Sequence, residues 1–341
     1  MKILYAIQAT GNGHVSRAME LLPYFKEHAQ VDTFLSGAHA TMEPGFEVNY
    51  RSKGFSFFYE KNGGIGISKT IAHFNPTRLW KEIKQFPIEQ YDLVVNDFEF
   101  ISARAAKWRG VPSISLSHQA SFLSKKTPRP EIKNSVGEFI LKHYAPADHS
   151  IGFHFSKYDE FITTPIIRHQ IKSLEVSQQP HITVYLPSFN TTSLASLFEN
   201  CQGIFHCFVP GLTQIEKKSN CLFLPANAQQ FLTNMASGSG VICGAGFETP
   251  AEALYLGKPL LVVPIKGQYE QQCNAAALAK LGVFILPNHE VSQQDVINTW
   301  LVNKLSIQIV FPDHAESIVK LALNKAFSNQ NQVSFSTPAL G

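Results

Sequence analysis

Cysteine is scarce: Cys201, Cys207, Cys221, Cys243 and Cys273 are the only 5 in 341 residues, and none are spaced as Cys-x-x-Cys. An odd count without that spacing argues against a disulfide framework and a thiolate zinc site, and leaves buried free thiols. Long apolar runs are missing too. The best candidate, Leu260 to Pro264, is strand-sized, whereas a membrane span needs roughly 20 residues. The apolar start passes at once into Gly11-Asn12-Gly13-His14. That reads as a buried strand and its loop, not a signal peptide, so a cytoplasmic protein is expected. Charge is modest, at 16% of residues and a net +3. No basic stripe of the kind that binds nucleic acid is present. Two small basic groups, Arg78/Lys81/Lys84 and Lys125/Lys126/Arg129, could meet an anionic membrane surface or acceptor, or form solvated faces.

What is present is an alternation of strand and helix patterns. Lys2 to Ala9 is a near-continuous apolar run closed by a Gly-rich turn, and a helical pattern follows from about Ser16. Pro23 is expected to kink or break that helix. Val31 to Leu35, Leu93 to Val95 and Ser113 to Leu116 supply further strands. After a polar stretch, Ser156 to Gln179, the series restarts with His181 to Leu186, Gly203 to Phe208, Cys221 to Leu224, Val241 to Cys243, Leu260 to Val263 and Val283 to Leu286. Such alternation predicts an α/β protein with parallel sheets and helices on both faces. The restart predicts two Rossmann-like domains, 1–165 and 166–328, facing a cleft. Residues 329–341 read as a disordered tail, and Gly63 to Gly66, within the irregular segment Arg51 to Ser68, as a mobile loop tip.

The densest signal lies between Phe231 and Leu281. Val241-Ile242-Cys243 is a buried strand, and Gly244-Ala245-Gly246 is a turn where backbone can approach a ligand closely. Thr249, Pro250 and Glu252 read as N-cap, first helical residue and capping-box partner. A helix N-terminus offers free N–H groups and about half a positive charge, which suits phosphate. Any βα unit needs a turn and a cap, so phosphate binding and plain capping both stand at this point. The turn lacks Gly-Lys-Ser/Thr and is not a Walker loop. Beyond the strand Leu260 to Val263, Glu270 and Gln271 crowd the start of another helix. Open parallel sheets bind ligands at such strand ends, and paired carboxylate and amide groups sort sugar hydroxyls.

The run Gly246-Phe247-Glu248-Thr249-Pro250-Ala251-Glu252-Ala253, then Gly257-Lys258-Pro259, Pro264, Glu270-Gln271 and Asn274-Ala275, resembles the donor-binding signature of GT-B glycosyltransferases. It is similar both to UDP-glycosyltransferases and to the peptidoglycan N-acetylglucosaminyltransferase. The resemblance implies a GT-B fold, a nucleotide-sugar donor of the UDP-sugar kind, and transfer of its sugar to an acceptor hydroxyl. It implies that Glu252 holds the ribose hydroxyls, that Thr249 with Gly244, Ala245 and Gly246 binds the diphosphate, and that Glu270 and Gln271 touch the sugar. Phe231 and Met235 fall at the apolar positions near the base. Plant-type members carry His where Gly244 stands, so here the phosphates lean on backbone N–H groups, the helix end or Ser188.

At the other end, a dinucleotide fingerprint would need a third Gly three residues after Gly13, where Ser16 stands. His14, placed on a loop leading into a helix, can take a proton near neutral pH or serve the loop structurally. Gly-x-Gly-His looks like the loop of UDP-glycosyltransferases that carries the acceptor-activating His. The resemblance implies His14 as base, Gly13 beside the donor, and Asp97 as the carboxylate orienting the imidazole. Glu99 and His118 sit at similar strand ends as rivals. Arg17 reads equally as a partner for substrate charge and as a solvated helix arginine. The implied reaction is a direct displacement with inversion, without a cofactor and, for want of an Asp-x-Asp pair, without a metal. A UDP-sugar 2-epimerase of the same architecture and a non-catalytic nucleotide-sugar-binding protein are the alternatives. No nucleic-acid partner is expected. The acceptor is expected at Arg51 to Arg78 and Ser121 to Glu131, with a lipid-linked or cell-envelope glycan and peripheral contact with the inner face of a membrane as its setting.

Overall fold

The computed structural model describes residues 1–37, 44–54, 75–286 and 293–328. Gly63 to Gly66, most of the Arg51 to Arg78 segment and the 329–341 tail lie outside them. The first sheet contains β1 (Lys2–Gln8), β2 (Gln30–Ser36), β3 (Tyr50–Ser52), β4 (Leu93–Asp97), β5 (Ser113–Ser117), β6 (His149–Phe153) and β7 (Ile162–Thr163). Their order is β3-β2-β1-β4-β5-β6-β7, and every neighbouring pair is parallel. The helices of this half are α1 (Asn12–His28), α2 (Pro76–Gln85), α3 (Phe100–Arg109), α4 (Ser135–His143) and the single turn α5 (His169–Lys172).

The second sheet contains β8 (Gln179–Tyr185), β9 (Ile204–Val209), β10 (Glu216–Lys218), β11 (Cys221–Pro225), β12 (Gly238–Gly244), β13 (Leu260–Val263) and β14 (Phe284–Ile285). Its order is β10-β11-β9-β8-β12-β13-β14, parallel except for the edge hairpin β10–β11. The intervening helices are α6 (Thr191–Phe198), α7 (Ala228–Ser237), α8 (Glu248–Tyr255), α9 (Tyr269–Lys280) and α10 (Gln293–Val302), and α11 (Ala315–Phe327) closes the described chain.

The apolar runs are explained by burial on both faces. In β1, Ile3 to Ile7 are fully buried. All five cysteines are buried and free. One expectation is narrowed and one needs correction. Of the kink or break expected at Pro23, the break is excluded, since Pro23 lies inside α1 without ending it. Leu21, Leu22 and Phe25 are buried on either side of it. At ~1.5–3 kcal/mol each, their burial outweighs the ~3 kcal/mol that an interior proline costs. Residues 315–327, placed by sequence in the second unit, cross back onto the first sheet against α1, β5 and β6. The apolar face Ile318, Val319, Ala322 and Ala326 joins the core that holds Ile3, Val15 and Phe25, so the last helix ties the two halves together. Among the described residues no helix is long and apolar enough to cross a membrane.

In each sheet the chain reverses its direction of winding once, between β1 and β4 and between β8 and β12. Ligands of open α/β sheets gather at such switch points. The turn after β1, Asp97 at the end of β4 and Gly244 at the end of β12 all stand at these places.

Candidate active site

Gly11 is extended, with φ −165° and ψ 170°, and α1 begins at Asn12. His14 is therefore in the first helical turn rather than on a loop. Arg17 follows one turn later on the same face. Both reach Asp97, because β4 lies beside β1. His14 Nδ1 donates to Asp97 Oδ1 at 2.7 Å. Arg17 donates from Nη2 to Oδ1 at 2.8 Å and from Nε to Oδ2 at 3.0 Å. Asp97 is fully buried and Arg17 is 3% exposed. Burial pushes the Asp97 carboxyl up, but Arg17 and His14 beside it prevail and hold it below its ordinary value. The carboxylate fixes the tautomer of His14, with Nδ1 protonated and Nε2 left with its lone pair. Phe98, directly after Asp97, has a left-handed φ of 57°, a strained turn at the mouth of the site.

Arg17 is not a solvated helix arginine. Its guanidinium packs over the Phe153 ring, and Nη1 crosses between the two halves to pair with Glu248. A Cβ on Gly13 would come within 2.9 Å of Glu248 Cγ, so glycine is what allows the halves to close here.

The rival bases have other work. Glu99 caps α3, accepting from Ile101 N at 2.9 Å and Ser102 N at 2.6 Å, and burial raises its pKa. His118 is buried, with Nδ1 donating to the Phe153 carbonyl and Nε2 against the Asn274 amide, both at 2.8 Å. Its ring stacks on Phe247 at 4.0 Å, and burial pushes its pKa down. Both ring nitrogens are engaged, so His118 joins the halves rather than offering a base.

On the second half, β12 delivers Gly244-Ala245-Gly246 to α8. The expected cap is corrected: α8 starts at Glu248, Phe247 holds the cap position without a side-chain bond, and Thr249 and Pro250 lie inside the first turn. Proline is tolerated there because the first-turn N–H groups have no helical partner to lose. A Cβ on Gly246 would meet nothing within 4 Å, so open space lies beside the helix end. Burial pushes the Glu248 carboxyl up to about 7; Arg17 pulls the other way, while Glu252 and Asp97 add to the rise.

Glu252 is not a free carboxylate closing a capping box. It is 2% exposed, and Arg168 grips both its oxygens, from Nε at 2.5 Å and Nη2 at 2.7 Å. A carboxylate this deeply buried requires a cation, and the fork of an arginine matches it. Arg168, 84 positions away, carries no local signal of this role. Glu270 accepts from Gln119 Nε2 at 3.1 Å across the halves, and Gln271 Oε1 accepts from Ile265 N at 3.0 Å. Ser188 and Phe231 are half-buried, the latter packed on Tyr185 and Phe208. Met235 is fully buried in the core and offers no surface to a ligand. Among the described residues no three His, Cys, Asp or Glu side chains are grouped to hold a metal ion.

A histidine–aspartate pair thus faces a glycine turn and helix end across a two-sheet interface. The family model described as glycosyl transferase family 1 matches residues 1–304. No curated protein matches the chain. Among solved structures, it is similar to MurG of Acinetobacter baumannii, with 13% identity, coverage of 95% of this chain and 99% of that one, and a TM-score of 0.59. UGT89C1 of Arabidopsis thaliana, complexed with UDP, shows 12% identity, 97% and 98% coverage and a TM-score of 0.56. The spinosyn forosaminyltransferase SpnP shows 13% identity, 98% coverage of both chains and a TM-score of 0.56. At such identities the structural likeness speaks for the fold, and the family match speaks for the chemistry. The chain belongs to glycosyl transferase family 1 and is a glycosyltransferase of GT-B fold.

Proposed function

We propose that this glycosyltransferase takes a UDP-sugar donor and transfers the sugar with inversion, without a metal, to an acceptor hydroxyl. The observation that carries the proposal is the His14–Asp97 hydrogen bond of 2.7 Å, set opposite the open space at Gly246. His14 Nε2 takes the acceptor's proton as the acceptor oxygen bonds to the anomeric carbon. The bond from that carbon to the diphosphate breaks, and its electron pair leaves with the nucleotide. Asp97 stabilises the imidazolium so formed. The diphosphate lies against Gly244, Ala245, Gly246 and Thr249, where the end of α8 meets the growing charge. Glu270 and Gln271 read the sugar, Ser188 adds a hydroxyl near the phosphates, and Phe231 borders the base. Glu252 takes the ribose hydroxyls on the lone pairs that Arg168 leaves open, keeping the cation that its burial requires. UGT89C1, of similar fold, was solved with UDP and with UDP-L-rhamnose, which supports the choice of nucleotide.

In this proposal, the first sheet with its helices, including the returning helix 315–327, is the acceptor unit and the second sheet with its helices the donor unit, and the protein works in the cytoplasm at the inner face of a membrane, on a lipid-linked or cell-envelope glycan. Three of the six expected cations are engaged internally: Arg78 with Glu82, Lys126 with Asp159 and Arg129 with Glu138. The membrane-facing surface is assigned instead to Trp80 and Trp108, 51% and 47% exposed. Their rings lie 5.5 Å apart, with Lys84 over both and Arg109 over Trp108. Exposed tryptophan among cations suits an anionic interface.

A thermal-shift screen of nucleotide-sugars tests the donor. UDP-sugars are expected to raise the melting temperature, since a ligand of the folded state stabilises it; a flat response across all nucleotides would refute the proposal. His14→Ala is expected to keep donor binding and lose transfer, which separates a transferase from a passive binder. Turnover of UDP-N-acetylglucosamine without any acceptor would mark the 2-epimerase instead.

A further inference from the structure

We infer that Arg17 is a ligand of the donor's diphosphate, and that Glu248 occupies its guanidinium until the donor arrives. This rests on the UDP-sugar reading above and adds to it a residue on the acceptor side. Arg17 presents its edges unequally. Nε and Nη2 are committed to Asp97 at 3.0 and 2.8 Å, inside the first half. Nη1 alone crosses to the second half, where its partner is the first residue of α8. Glu248 thus springs from a helix end, whose free N–H groups favour an anion, and its carboxylate reaches the guanidinium of the opposite half.

Glu248 is a poorly suited permanent occupant. Burial drives its carboxyl up to about 7, against the attraction of Arg17. A diphosphate carries more charge and more acceptor oxygens, and guanidinium recognises phosphate in a fork. The space over Gly246 adjoins the same helix end and gives the incoming phosphates room. The exchange leaves no buried charge alone: Arg17 keeps Asp97 throughout, and Glu248, whose carboxyl stands at about 7, takes a proton as it gives up the guanidinium. It also places the cation that meets the leaving group on the same carboxylate that orients His14, so base and leaving-group partner are aligned by one residue.

Calorimetric titration with UDP and with uridine, on the wild type and on Glu248→Gln, tests the exchange. Gln keeps a hydrogen-bond acceptor for Arg17 but removes the competing charge. UDP is expected to bind at least ~10-fold more tightly to Glu248→Gln, with uridine affinity unchanged, a factor worth ~1.4 kcal/mol. Arg17→Lys, which keeps the charge but not the fork, is expected to weaken UDP and spare uridine. Equal or weaker UDP binding by Glu248→Gln overturns the inference while leaving the donor reading intact. A wild type that binds neither UDP nor uridine removes the donor reading and the inference together.

Discussion

Asp97→Asn separates the chemistry of the site from its architecture. The carboxylate is fully buried and accepts three hydrogen bonds, of 2.7, 2.8 and 3.0 Å, from His14 and Arg17. Asn keeps the shape but loses the charge, and it presents an N–H₂ group where one oxygen stood. Two consequences follow, of different size. Arg17, 3% exposed, keeps only Glu248 as a counter-ion. Breaking a buried pair costs ~3–5 kcal/mol, which at ~2–4 °C per kcal/mol lowers the melting temperature by roughly 6–20 °C. His14 loses the carboxylate that fixes its tautomer and stabilises its cation. Positioned general-base catalysis supplies ~10²–10⁴ in rate, so kcat is expected to fall by that factor at saturating donor. The triple variant Asp97→Asn/Arg17→Met/Glu248→Gln removes the half-paired cation together with its remaining partner and is expected to recover part of the stability but none of the rate. Melting curves and turnover on the same preparations decide it. A kcat within about threefold of wild type for a folded Asp97→Asn would refute the assigned role of the His14–Asp97 pair.

Donor affinity is expected to rise as pH falls through about 7, where Glu248 becomes neutral and releases Arg17; Asp97, His14 and Glu252 also face Glu248. Calorimetry with a UDP-sugar, whose diphosphate does not titrate there, reads this, and Glu248→Gln is expected to abolish the slope. Stability is expected to fall in acid. Asp97 is held below its ordinary value, and Glu138 is drawn down to about 2 although burial pushes it up, because Arg129, Tyr269 and Lys142 bond to it. Lowered carboxyls stabilise the fold above their unfolded pKa of ~4 and lose that contribution as pH drops through the folded values. The contribution of these two carboxyls is therefore expected to be level above about pH 5 and to be lost below it, so that below pH 5 the melting temperature of Glu138→Gln declines less steeply than that of the wild type. Sedimentation with anionic phosphatidylglycerol vesicles is expected to capture the wild type and to lose Trp80→Ser/Trp108→Ser; equal capture of both would remove the membrane-facing assignment.

Much of the fold was legible because its signals are local. Residues 3–7 of β1 and the strand Leu260–Val263 are apolar throughout, since both faces are covered. The strand–turn–helix at Gly244 to Glu252 announced itself through glycine and proline. What was hidden depends on partners far along the chain. Arg17 meets Glu248 across 231 positions, and Arg168 meets Glu252 across 84. No periodicity records either pair, so Arg17 read equally well as solvated and Glu252 as a capping residue. The start of α8 was misplaced for a different reason. Thr249-Pro250 is a sound local start signal, yet proline fits equally in the third position, and tertiary contacts chose the earlier start at Glu248. Short strands such as Tyr50–Ser52 and Ile162–Thr163 leave too few residues for any pattern.

The most direct measurement is a crystal structure of the protein grown with UDP. The diphosphate is expected beside Gly246, within ~2.7–3.2 Å of backbone N–H groups at the start of α8, with Arg17 turned from Glu248 toward it. UDP bound elsewhere, such as in the hollow lined by Thr191, Lys217 and Lys218, with the Arg17–Glu248 pair intact, would contradict it.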